Sequence, residues 1–331
     1  MRCWRIAAAG ELAQAELPDP VPGPGEVAVA IRAVALNYRD LATLADPAAR
    51  GIALPRIPCS DGAGEIVAVG PGVTGLAPGM RVASTFFADW EDGACTEAAM
   101  ASALGGPRDG VLAERVVLPA RGVVPVPGHL TDAEAATLPC AALTAWRVLF
   151  DVGGLKPGEA VLLIGTGGVS VFALQFCVLA GARAIVISSS DAKLARAREM
   201  GAWGTVNYRT QPDWAAEVLA LTGGRGVDLT VETGGSGTLD ATIRATRIGG
   251  RIGLIGILAP GRIDPVPIMR KSIRLQGVYV GPRRSFEEMN RAIAAAGLRP
   301  VIDRTFRFEA APDAFAALGA GRHFGKIVIL R

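Results

Sequence analysis

The chain has 331 residues, half of them hydrophobic and 20% charged, with a formal net charge of +3. That length exceeds one hydrophobic core, so two domains are expected, and the composition excludes a largely disordered chain. The small, mixed charge, as in KLARAREMGA, offers no basic face for nucleic acid, and no apolar run approaches the roughly 20 residues of a membrane span.

The opening residues, MRCWRIAAAGELAQAELPDP, lack a long apolar secretory stretch, so a soluble cytoplasmic protein is expected. After the Pro/Gly cluster PDPVPGPGE, the run EVAVAIRAVAL reads as a strand, and GAGEIVAVG, MRVAST and ERVVLP follow as further short strands. Gly70, Gly72, Gly75 and Gly79 supply closely spaced turns, the pattern of a β-rich, barrel-like domain. Thr131 followed by Glu134 has capping-box spacing and opens a helix in TDAEAATLPCAALTAWRVLF.

Beyond Gly158 strand and helix alternate: AVLLIG, VSVFALQFCVLAG, ARAIVISS, AKLARAREMGA, TVNYR, WAAEVLALTGG, VDLTVET, LDATIRAT and GGRIGLIG. Apolar strands separated by helices make a parallel, doubly wound α/β sheet, a Rossmann domain. Beyond Ile273, a strand (LQGVYVG), a helix (SFEEMNRAIAAAG) and a closing strand (GKIVILR) return, and the first domain is expected to be completed by the C-terminus.

The strand ending at Ile164 runs into Gly165, Thr166, Gly167, Gly168, Val169 and Ser170, nearly the G-x-G-x-x-G spacing, and an apolar helix follows. The first glycine permits the tight turn, the second admits a pyrophosphate, and the helix start offers unpaired N–H groups. Ser170, at the third position, is still small enough for close packing. The alternative is a purely structural turn. About 20 residues on, an acid would bind the ribose of NAD. Here the strand instead ends in Ser188, Ser189 and Ser190, 23 to 25 residues after Gly165, with Lys193 one turn further. Hydroxyls and an ammonium suit a 2′-phosphate that a carboxylate would repel, so NADPH is expected over NADH, with Asp191 read as the N-cap of the next helix. The five cysteines, Cys3, Cys59, Cys95, Cys140 and Cys177, are widely spaced without a CxxC and read as free thiols.

Six separated motifs carry a family resemblance: ALNYRDL (35–41), SDGAGEIVAVGPGV (60–73), LPCAALTAW (138–146), GTGGVS, TGGRGVD (222–228) and RHFGKIVIL (322–330). On these the chain resembles the medium-chain dehydrogenases and reductases, and among them the zinc-independent quinone oxidoreductase and enoyl reductase branch. The resemblance implies a GroES-like catalytic domain over 1–141 and 278–331 and a Rossmann domain over 142–277. Where zinc-containing members have their catalytic ligands, this chain has Asn37, Ser60 and Cys140, and the structural-zinc loop retains only Cys95, so no metal is expected. The resemblance also places Thr144, Gly256 and Ile257 near the nicotinamide ring, with Val278 and Val280 holding its carboxamide. Lys193 and Tyr208 fall near the 2′-phosphate, and His323, Gly325 and Lys326 on a segment that covers the cofactor. A homodimer joined through the edge strand at 274–280 is the expected assembly.

Without a metal to polarise an alcohol or a carbonyl, a substrate that is itself an electron sink fits best: an enone or a quinone receiving hydride from NADPH. Asn37 is the expected donor to the developing oxyanion and Tyr38 the expected proton donor. The plainer readings have Asn37 bonding local backbone, Tyr38 packed on the opposite face of a strand, Arg39 and Asp40 paired, Tyr208 on a strand surface and Lys326 solvated. Trp90 and the loop 86–110 would wall a pocket. The alternatives in function are an NAD(P)-dependent alcohol dehydrogenase and a nucleotide-binding protein without turnover.

Overall fold

The computed structural model describes residues 1–256, 258 and 261–331, which form two compact units, Met1–Leu143 with Val280–Arg331, and Thr144–Tyr279.

The second unit is a six-stranded sheet in the order Gly204–Asn207, Arg183–Ser188, Ala160–Ile164, Val227–Glu232, Thr246–Leu254 and Arg274–Gly277. Every adjacent pair is parallel, so the order is that of a doubly wound nucleotide-binding sheet, reversing direction beside Ala160–Ile164. All five residues of Ala160–Ile164 are buried, because helices such as Gly168–Leu179, Asp191–Glu199 and Ser236–Ala245 cover the sheet. Phe172 and Phe176 stack inside this unit, and Trp146 meets Phe176 edge-on. The expected helices and strands from AVLLIG to GGRIGLIG are all present.

The first unit is built on a seven-stranded sheet ordered Ile302–Arg307, Lys326–Leu330, Glu26–Ala35, Asp61–Val69, Arg81–Ser84 and Val123–Pro125, with Arg115–Pro119 also pairing with Glu26–Ala35. Val27, Val29, Ile31, Ile66, Val82, Ile327 and Ile329 are among its core residues. The chain's last strand pairs antiparallel with Glu26–Ala35, Val328 opposite Ala35, so the C-terminus does complete this sheet. That register carries Lys326 to a place opposite Asn37, just past the end of the paired strand.

Three local features differ from the sequence reading. A hairpin, Arg2–Ala8 with Glu11–Glu16, stands in the opening segment, where no strand is expected from the sequence, and turns at Gly10, whose φ is +76°. The segment after Leu36 is the helix Tyr38–Ala45, not a strand, with Asn37 in extended conformation at its N-cap. The helix opened by Thr131 has its capping box, but Asp132–Ala136 gives way to a wider π turn over Leu138–Ala142, where Pro139 contributes no N–H to regular helical bonding.

Candidate functional site

In the nucleotide-binding unit, Gly165 closes the strand Ala160–Ile164 at φ +76°, which a side chain would strain. Gly167 sits at the N-cap of Gly168–Leu179 with φ −76°, and a Cβ added there would meet no atom within 4 Å. The glycine is required neither by its own conformation nor by the protein's packing, and the open space beside a helix N-terminus fits a pyrophosphate. Ser170 donates from Oγ to the Ile164 carbonyl at 2.6 Å, locking strand to helix where the motif's third glycine would stand. Thr166 is buried, while Gly168 and Val169 are half-buried in the first turn.

Parallel pairing sets Asn207 beside Ser188, and the Tyr208 N–H donates to the Ser188 carbonyl at 3.1 Å. Ser188, Ser189, Lys193 and the 40% exposed Tyr208 therefore gather at the ends of two neighbouring strands. The N-cap of Asp191–Glu199 is Ser190, whose Oγ accepts from the Lys193 N–H; Asp191 is one residue inside the helix. Its carboxylate accepts from Asn207 Nδ2 at 2.8 Å. Sequence reasoning passed over Asn207 and the exposed Arg209 beside it, although both lie in the VNYR segment that supplied Tyr208.

Further along the sheet, the fully buried Glu232 accepts from the backbone of Gly234 and Gly235 and from the hydroxyls of Thr238 and Thr242, fixing the turn after its strand. Gly256 packs against that turn so closely that a Cβ would lie 2.4 Å from the Gly235 nitrogen. Ile257 lies outside the described residues. Val278 donates its N–H to Leu254, continuing the edge of the sheet, and Thr144 is buried in the short helix Leu143–Trp146.

The first unit holds a second constellation. Lys326, in the plainer reading a solvated side chain, is 3% exposed, and its ammonium donates to the Leu36 carbonyl at 2.5 Å and to Asn37 Oδ1 at 2.7 Å. The register of the last strand and the burial of its neighbours turn this side chain inward. Asp61, fully buried, accepts from Ser60 Oγ at 2.6 Å and from the Cys140 N–H at 3.0 Å. Asn37 Nδ2, by contrast, is buried with no hydrogen-bond partner. Leaving such a donor unsatisfied costs about 1–3 kcal/mol.

Burial pushes the Asp61 carboxyl up, and Lys326, the Ser60 hydroxyl and the Cys140 N–H hold it down in part. Burial likewise pushes Asp40 up to about 6, opposed by Arg39 and by the Asn37 N–H that Asp40 accepts at 2.8 Å. Arg39 is paired with Asp40 as expected, lies over the Phe86 ring and donates to the Leu104 carbonyl. Tyr38, by contrast, is 48% exposed at the first helical position, not packed on a strand face opposite Asn37. His323 is half-buried and Gly325 has φ +84°, while Val280 takes φ +52°, uncommon for a β-branched residue. Trp90 is buried edge-on against Phe87, its indole N–H on the Gly93 carbonyl.

These residues do not fit a catalytic zinc. Asn37 Oδ1 is engaged by a cation already, the Ser60 hydroxyl is spent on Asp61, and burial pushes the Cys140 thiol up, away from the thiolate a metal binds. Among the described residues no group of three or more His, Cys, Asp or Glu is arranged to hold a metal ion.

Two family models match the chain: the alcohol dehydrogenase GroES-like domain over residues 23–128 and the zinc-binding dehydrogenase model over 168–295. A zinc-type alcohol dehydrogenase-like protein of Schizosaccharomyces pombe is 41% identical over 95% of this chain and 93% of its own length. Acryloyl-coenzyme A reductase of Metallosphaera sedula is 30% identical over 95% of both chains. A crystal structure of an NAD-dependent alcohol dehydrogenase superposes with a TM-score of 0.91 at 36% identity, covering 100% of each chain.

Proposed function

Because the chain belongs to the medium-chain dehydrogenase/reductase superfamily, a family of nicotinamide-dependent oxidoreductases, we propose that it is a metal-free, NADPH-dependent reductase of activated C=C bonds or quinones. The single observation that carries this reading is the buried Lys326 ammonium on Asn37 Oδ1, where zinc-containing relatives would need a metal ligand. A site without a Lewis acid favours substrates whose own conjugation accepts electrons, and the similarity to an acryloyl-coenzyme A reductase supports an activated alkene.

Bound nicotinamide supplies the hydride. The residues of this chain then have three tasks. The Gly165–Thr166–Gly167 turn and the helix behind it hold the pyrophosphate. Ser188, Ser189, Lys193 and Tyr208 hold the 2′-phosphate, with the Asp191 carboxylate tied to Asn207. Asn37 Nδ2 donates to the oxyanion of the reduced substrate, and the exposed Tyr38 phenol hands over the proton. An alcohol dehydrogenase activity is the second reading, favoured by the names of two relatives and opposed by the donor set around Asn37. Assembly as a homodimer through the edge strand Arg274–Gly277 belongs to the same proposal, and sedimentation tests it.

Rates of NADPH and NADH oxidation with a panel of enones and quinones, beside NADP⁺ reduction by alcohols, test the reading. Turnover of the electron-poor substrates with NADPH is the expected result. Alcohol oxidation alone supports the second reading, and binding without any turnover overturns both.

A further inference from the structure

Lys326 has a role that neither the cofactor nor a metal explains. An ammonium only donates hydrogen bonds, so the oxygen of the Asn37 amide must face it, and the nitrogen must face the other way. The nearby negative charge of Asp61 favours the same arrangement, drawing the NH₂ group and repelling the oxygen. Two opposite, fully buried charges thus hold a neutral amide in one of its two orientations, although nothing in the Asn37 side chain itself distinguishes them by shape. Neither charge is available for other work: Lys326 is 3% exposed and bonded also to the Leu36 carbonyl, and Asp61 already holds Ser60 and the backbone of Cys140.

We infer that Lys326 is a positioning residue, whose ammonium, with Asp61 beyond the amide, fixes Asn37 so that an N–H of Nδ2 is kept as a donor for the substrate oxygen. In this orientation Nδ2 is buried with no hydrogen-bond partner, so its N–H donors are not spent on the protein. If the amide were free to flip, it would present an acceptor to an oxyanion for part of the time, and the preorganisation that makes such donors effective would be lost. The donor role rests on the reductase reading proposed above; the orientation of the amide does not.

The chain contains only three asparagines, Asn37, Asn207 and Asn290, so protein labelled with ¹⁵N at asparagine gives three side-chain NH₂ signals, and loss of one in Asn37→Ala assigns it. In Lys326→Gln, whose amide can donate or accept, the Asn37 signal is expected to move and its exchange with water to quicken more than tenfold, with the other two unchanged. Lys326→Arg, which retains a charged donor, is expected to keep the wild-type signal and covers the case in which the glutamine variant fails to fold. In turnover, Lys326→Gln is expected to lower kcat about 100-fold with KM within a few-fold, as loss of an oxyanion donor does, and to add nothing further in the Asn37→Ala background. An Asn37 signal indifferent to Lys326→Gln, a signal displaced in Lys326→Arg, or losses that multiply across the double variant overturns the inference. Absence of turnover across the enone and quinone panel would sink the reductase reading alone, because the amide signals still decide the orientation.

Discussion

Asp228 accepts the backbone N–H of Ala160 at 2.9 Å, tying the first residue of one central strand to the second residue of its neighbour. The same carboxylate, 2% exposed, takes guanidinium groups from Arg225 and Arg247. Desolvation pushes its pKa up, but the Arg225 hydrogen bond, the Ala160 N–H and Arg247 outweigh this and hold it well below the usual carboxylate range. A depressed carboxylate stabilises the fold fully above the unfolded value near 4 and loses that contribution as pH falls toward the folded value. Asp228→Asn is therefore expected to destabilise the nucleotide-binding unit by about 1–3 kcal/mol at pH 7, with the deficit shrinking in acid below about pH 4. Thermal melts of both proteins across pH measure it.

Two glycines that the proposal assigns to the cofactor site, Gly167 and Gly256, should separate binding from folding. Gly167→Ala projects a methyl into open space, so melting should change by less than about 1 kcal/mol, the range of an N-cap exchange, while nucleotide affinity falls about tenfold or more. Gly256→Ala drives a methyl into the Thr233 and Gly235 backbone and is expected to lower stability first. Fluorescence titration with nucleotide, beside a melt, distinguishes the two.

The proposed function assigns cofactor choice to Ser188, Ser189, Lys193 and Tyr208. Lys193→Ala should weaken NADPH about tenfold and leave NADH nearly unchanged, and Ser189→Asp should reverse the preference, since a carboxylate repels the 2′-phosphate. Dissociation constants for both nucleotides provide the comparison. Equal losses for the two would place these residues outside the 2′-phosphate site.

Tyr38 is exposed and carries no structural hydrogen bond among those described, so Tyr38→Phe should leave melting unaltered. As proton donor its loss should lower kcat about 10²-fold. A steady-state comparison with one enone measures this.

Dialysis against a strong chelator should leave activity unchanged, and elemental analysis should find no stoichiometric zinc, because Asn37 Oδ1 and the Ser60 hydroxyl are engaged in other bonds and burial pushes the Cys140 thiol up. Restoration of lost activity by added zinc would contradict this.

The alternation of strands and helices and the Gly165 turn were legible because each rests on local periodicity and local backbone chemistry. Thr131 and Glu134 announced their helix for the same reason: both halves of the capping box lie within one turn. The helix at Tyr38 had a comparable signal, Asn37 at the N-cap with Asp40 three residues on, but the apolar strand running into it dominated the reading. Asp191 was misjudged by one residue, since two adjacent polar residues are both good caps and only the backbone decides between them. The TGGRGVD motif was legible as a family mark, yet its Arg225 and Asp228 serve the fold of the sheet. The pairing of Lys326 with Asn37 could not be read: the two are 289 positions apart, and only the pairing of the last strand with Glu26–Ala35 brings them together.

Transfer of label from [4-²H]NADPH tests the central claim most directly. With a turned-over enone and enzyme freed of metal by chelation, deuterium is expected at the β-carbon of the product, with the solvent proton at the α-carbon. Deuterium at a carbonyl carbon, giving an allylic alcohol, or activity that appears only when zinc is returned, contradicts a metal-free reductase of activated double bonds.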